Sequence, residues 1–155
     1  MVKLNLPYGI DNFAKLRNSG CYYVDKTGFI QELLSETFDV NLLTRPRRFG
    51  KTLTMSMLAE FLDIRKDSRE LFEGLTVAQD KEFCEKWMNQ WPVLFLTLKD
   101  VNGTEFDMAY GLLQKTISKL CIDHSYLEES PHIDQADKKV FLQLKSRKAD
   151  IIDVQ

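Results

Sequence analysis

Gly50-Lys51-Thr52 closes a run in which Arg45, Arg47, Arg48 and Lys51 place four cations within seven residues. A phosphate cradle needs backbone N–H groups aimed into a concavity, a cation at the terminal phosphates and a hydroxyl for Mg2+. Gly50 lets the backbone approach closely, Lys51 has the reach for the β- and γ-phosphates, and Thr52 has the hydroxyl for the metal. The positive end of a following helix would add to the attraction. The stretch read as nucleotide-binding runs through Arg47, Arg48, Phe49, Gly50, Lys51, Thr52 and Leu53, with ATP and Mg2+ as the cofactors. Arg45-Pro46 departs from the usual loop, which has a glycine at position 45. A residue before proline is pushed to extended φ/ψ, so Arg45 cannot stand in for a glycine at positive φ, and Pro46 loses an N–H donor. Arg47 and Arg48 have the fork geometry for phosphate oxygens. They suit a neighbouring subunit or a nucleic-acid backbone equally well.

The elements that must position this loop are legible as alternating patterns. Residues 38–44, with Val40, Leu42 and Leu43, read as a buried strand, and residues 91–100 as a second. Tyr22-Tyr23-Val24 has the composition of a weaker third. Helical spacing is clear at Phe29, Ile30, Leu33 and Leu34, and again at Leu53, Met57, Leu58, Phe61 and Leu62 on the helix that follows the loop. Met55 and Met57 both read as packing residues of that helix. Ile10, Phe13 and Leu16 mark a short N-terminal helix, and residues 80–90 a short amphipathic one. The longest helix follows Thr104-Glu105-Phe106-Asp107, which has the form of a capping box. A last helix covers residues 134–147. Strands separated by helices imply an α/β fold with a parallel sheet.

Whole-chain properties limit the function further. The 155 residues fit one domain and carry a net charge of −2, which argues against a surface built for nucleic acid while leaving room for a local basic patch. Cys21, Cys84 and Cys121 are far apart and form no CxxC pair, so they read as reduced thiols. No apolar run approaches the ~18 residues that cross a bilayer, and the cytoplasm is the default location. His124 and His132 have no partner at ligand spacing and read as incidental.

"YYVDKTGFIQELL" followed by "LLTRPRRFGKTLTMSML" resembles the AAA-ATPase-like proteins of bacteria and archaea, P-loop proteins whose phosphate loop reads T-R-P-R-R-F-G-K-T. "LFEGL" at 71–75 and "WPVLFLTL" at 91–98 extend the resemblance along the chain. It implies that Arg45 is this family's own form of the loop. It implies a three-layer P-loop NTPase-like sheet flanked by helices. Here that domain would be incomplete: residues 1–155 would be its N-terminal portion, lacking a clear Walker B segment. Full-length relatives continue into that acidic strand, and many end in a PD-(D/E)XK nuclease-like domain. The implied activity is Mg2+-dependent ATP hydrolysis in the full-length protein, with weak binding and no turnover from this chain alone.

In related ATPases the segment before the loop lines the adenine, which would give Tyr23 a stacking role and Val24 an apolar contact. The alternative is that both tyrosines pack the N-terminal helix. Asp25 and Thr27 read as caps. Asp100 could pass for a Walker B acid, but the resemblance makes its strand the one after the Walker A helix, and it reads as a turn residue. A sheet of three or fewer strands with an uncovered edge would invite self-association or pairing with the missing C-terminal portion. The competing reading is a polyanion or nucleic-acid module, or a protein-interaction module, that uses "RPRRFGK" without turnover.

Overall fold

The computed structural model describes residues 5–35, 40–46 and 48–149. Among these, seven α-helices run in chain order: α1 Phe13–Asn18, α2 Gly28–Ser35, α3 Lys51–Leu62, α4 Arg69–Phe72, α5 Lys81–Trp87, α6 Phe106–Asp123 and α7 Gln135–Lys145. Two 3-10 turns, Thr76–Gln79 and Ser125–Glu129, complete the regular structure. The chain divides into two units between Val93 and Leu94.

The expected parallel sheet is absent among the described residues, which corrects the α/β, three-layer reading. Residues 40–46 and 92–98 run without any ladder partner, and the start of the first expected strand, at Phe38, lies outside the described residues. Tyr22-Tyr23-Val24 is likewise not a strand. Among the described residues there is one isolated parallel bridge, Asp63 with Trp91, and it joins the second expected strand to the end of α3 rather than to another expected strand. The physical reason is that β-propensity reports fit to a pleated, covered surface, and a strand exists only when a neighbour takes its N–H and C=O groups. Here Val40 and Leu42 are 84% and 85% exposed, so the burial that their composition promised is not met.

In the first unit the helices meet on an aromatic core. Phe13 lies against Phe72 with ring centroids 4.9 Å apart, Phe61 meets Phe72 edge-on at 5.2 Å, and Phe61 stacks with Phe83 at 6.0 Å. Ile30, Met57, Leu58, Leu75 and Val77 fill the space around them. The α3 stripe therefore faces inward as its spacing required, with Leu53 and Leu62 half-buried against the same core. Met55 does not join it and is 45% exposed. Helix α3 is tied at two places. At its middle, Ser56 Oγ accepts from the Phe13 N–H at 2.9 Å, which fixes α1 to α3. At its end the carbonyls left without intrahelical donors are taken by side chains: Ser68 Oγ donates to Glu60 O at 2.8 Å, and Asn89 Nδ2 donates to Glu60 O at 3.2 Å and to Asp63 O at 3.0 Å.

In the second unit α6 packs against α7. The Ser118 hydroxyl donates to the Lys145 carbonyl at 2.6 Å, and Lys145 pairs with Glu128. Helix α7 starts at Asp134, which caps the Asp137 N–H at 2.7 Å. The capping box expected at Thr104 does not form; Glu105 is the N-cap of α6 and makes no side-chain cap bond. Asp100 lies exposed in a turn, as its bland reading held. His124 is buried, with Nδ1 3.1 Å from the Tyr126 hydroxyl.

Candidate nucleotide site

The loop enters α3 through two left-handed residues, Arg48 at φ 67 and Gly50 at φ 73. For glycine this conformation is free, whereas for a side-chain-bearing residue it costs roughly 1–2 kcal/mol. Left-handed residues in a loop leading to a helix N-terminus are one way a backbone forms an anion-binding concavity. A Cβ added at Gly50 would meet nothing within 4 Å, so glycine is required there by the backbone angle, and the space beside it is open. Arg45 is not among the positive-φ residues, in keeping with the proline after it. Its guanidinium instead lies over the Phe29 ring of α2, 5.9 Å from the centroid. Arg47 lies outside the described residues. Arg48 is exposed.

Lys51 opens α3, and its ammonium turns back into the loop. Nζ donates to the Arg45 carbonyl and, at 3.2 Å, to the Pro46 carbonyl. A lysine has three donors, so this clasp uses two and leaves one for a ligand. Lys51 is thus half-buried and tied to its own loop rather than free in solvent. Thr52 stands exposed in the first turn of α3.

A cavity of about 360 Å³ lies beside this turn. Phe49, Gly50 and Leu53 form one wall, and Tyr22, Tyr23, Val24 and Lys26 another. Leu6 and Pro7 line it from the N-terminal side. The structure therefore brings Tyr23 and Val24 to the same cavity as Phe49 and Gly50, although Val24 and Phe49 are 25 positions apart (49 − 24). Phe49 is 63% exposed and offers a ring face at the rim. Tyr23 serves both of its readings at once. Its ring meets Phe13 edge-on at 5.6 Å, and its hydroxyl lies 3.4 Å from Met57 Sδ, while the side chain also lines the cavity. Burial raises the Tyr23 phenol above its ordinary value and the Asp25 charge adds to this, against the Lys26 N–H bond and the more distant Arg17. Sequence reasoning missed Leu6 and Pro7, which no periodicity or motif marks, and Lys26, which stands inside the "YYVDKTGFIQELL" stretch but was given no role. Tyr22 carried the same signal as Tyr23.

Asp25 and Thr27 act as caps, as their types suggested. Asp25 Oδ1 accepts from the Thr27 N–H at 2.8 Å and from the Thr27 hydroxyl at 2.7 Å. Oδ2 accepts from the Thr76 N–H and hydroxyl, both at 2.7 Å. Desolvation by burial pushes the Asp25 carboxyl up, but these four hydrogen bonds together outweigh it and hold the group at about 2.

Metal ligands are sparse. No cluster of three or more His, Cys, Asp or Glu side chains suited to a metal occurs among the described residues, and the cavity lining contains no carboxylate. Thr52, the residue expected at Mg2+, presents an exposed hydroxyl in the first turn of α3. That fits a metal that arrives on the phosphates and keeps most of its waters.

No described helix is long and apolar enough to cross a membrane. No solved structure matches the chain. An uncharacterized protein from the vnfD 5' region of Azotobacter chroococcum mcd 1 is 41% identical over 95 residues, a stretch that covers 61% of this chain and 17% of that protein. The chain thus spans a small part of this relative's length. A family model described as predicted AAA-ATPase matches residues 7–153, and the chain belongs to this AAA-ATPase-like family.

Proposed function

We propose that this chain is an ATP-binding module in which the cavity takes the base and the Arg48–Thr52 turn takes the phosphates. The observation that carries the reading is that Tyr22, Tyr23, Val24 and Lys26 meet Phe49, Gly50 and Leu53 around one cavity, with Lys51 and Thr52 beside it at the start of α3 rather than in its lining. A cavity of this size falls within the usual ligand range of roughly 300–1,000 Å³. The aromatic and aliphatic lining suits a base, and the helix end, the left-handed loop residues and Lys51 suit polyphosphate. Membership of a family of predicted AAA-ATPases supports nucleotide use. In the proposed complex Lys51 directs its remaining donor to the terminal phosphates, Thr52 contributes a hydroxyl to Mg2+, and Arg47 and Arg48 contact phosphate oxygens. Mg2+ would screen the phosphate charge and orient the leaving group.

Hydrolysis also requires a carboxylate that holds the metal and orients water. Among the described residues the cavity lining supplies none. We therefore assign ATP turnover to a longer protein containing this domain, and binding to this chain. Titration calorimetry with ATP, pyrophosphate and duplex DNA, with and without Mg2+, tests the reading. Mg2+-dependent binding that prefers ATP is expected. Equal binding of all three with steep salt dependence would instead indicate a polyanion patch.

A further inference from the structure

We infer that Asp25 is a positioning residue for the base wall of the nucleotide site, although it does not line the cavity itself. The inference rests on the nucleotide reading above and deepens it. Tyr22, Tyr23 and Val24 line the cavity from a segment without helix or strand, whose backbone is tied upstream by one bond, from the Tyr22 N–H to the Asn5 carbonyl at 2.9 Å, so the downstream end needs an anchor of its own. The next residue is Asp25, and its carboxylate is the anchor. One oxygen takes both donors of Thr27 and the other takes both donors of Thr76, from a 3-10 turn some fifty residues away. The anchor continues inward. With its proton committed to Asp25, the Thr27 hydroxyl accepts from the Val77 N–H at 3.2 Å, and Thr27 and Val77 are fully buried. Val77 belongs to the same core as Phe61 and Phe72. The wall is thereby referred to the core through a node whose four donors all demand an acceptor.

The chemistry of the node makes it sensitive to an isosteric change. Asparagine keeps the shape but presents an NH2 group to one of the two donor pairs; the threonine hydroxyl of that pair can turn to accept, but the backbone N–H is left facing a donor. The wall should loosen, and a base held by apolar and aromatic contact should lose affinity. The phosphates are held from the other wall and should not respond.

The experiment measures ATP and tripolyphosphate affinities, both with Mg2+, for the full chain, Asp25→Asn, Thr76→Val and the double variant. Asp25→Asn is expected to weaken ATP about fivefold to tenfold, a part of what base stacking contributes, and to leave tripolyphosphate unchanged. Thr76→Val, which keeps the backbone donor to Asp25 and so perturbs folding little, should move ATP alone in the same direction by about twofold. The double variant should lose no more than Asp25→Asn, because both act on one node. An unchanged ratio of the two affinities in both single variants, or equal loss of both ligands, would overturn the positioning role while leaving the nucleotide reading intact. Wild-type protein that shows no preference for ATP over tripolyphosphate would overturn both.

Discussion

Replacing Lys51 by alanine should do two separable things. In the ligand-free protein it removes the clasp from Nζ to the Arg45 and Pro46 carbonyls. Hydrogen bonds from a charged donor contribute roughly 1.5–3 kcal/mol each in buried sites, and water replaces part of that at a half-buried lysine. A loss of about 1–2 kcal/mol follows, which for a chain of this size lowers the melting temperature by about 2–8 °C. With ATP present the variant also lacks the cation that meets phosphate. One charge-assisted contact of about 1.5–3 kcal/mol corresponds to roughly a tenfold to hundredfold loss of affinity. The third donor of the ammonium is available, so the phosphate contact need not come at the expense of the clasp. Calorimetric titration with Mg2+-ATP and thermal unfolding of the same preparations measure the two effects. Lys51→Arg keeps the charge and should recover part of the affinity. Unaltered ATP affinity in Lys51→Ala would refute the phosphate role, and an unaltered melting temperature would refute the clasp.

Tyr23→Ala should weaken ATP more than tripolyphosphate and also destabilise the fold, because the ring serves the cavity and the Phe13 contact together; equal loss for both ligands would reduce Tyr23 to a packing residue. Phe61→Ala removes a fully buried ring that touches Phe72 and Phe83, and should cost about 3–5 kcal/mol in chemical denaturation. Asp25 is held at about 2 against an ordinary 3.8, so its stabilising effect is complete above about pH 4 and lost as pH falls toward 2. The stability gap between wild type and Asp25→Asn should therefore be full near about pH 6 and close on acidification, and since the side chain is largely exposed the gap should stay below about 1 kcal/mol. A gap that persists at about pH 2 would show that the effect does not come from the carboxylate charge.

Helices were legible in this chain because their determinants are local. The stripe Leu53, Met57, Leu58, Phe61, Leu62 is a matter of spacing along one element, and the structure turns it inward onto the core. The cap read at Asp25 was likewise a matter of residue type beside an apolar run, whereas the box read at Thr104 did not form. Strands were not legible in the same way. Val40 and Leu42 have strand composition, yet a strand is a relation between two segments, and no described segment pairs with theirs.

The sequence by itself determined the chemistry available at the loop. Gly50 supplies the left-handed turn, Lys51 the cation and Thr52 the hydroxyl, and Arg45-Pro46 dictates an extended entry. Only the tertiary structure decided what those groups face. It set Tyr22, Tyr23 and Val24 across a cavity from Phe49 and Leu53, turned the Lys51 ammonium onto its own loop, and tied Asp25 to Thr76. Apart from the Lys51 clasp, which reaches back only within its own loop, these are contacts between residues distant along the chain. Their partners are chosen by how α1, α2, α3 and the 3-10 turn pack on a shared aromatic core, and no local pattern in the sequence records that choice.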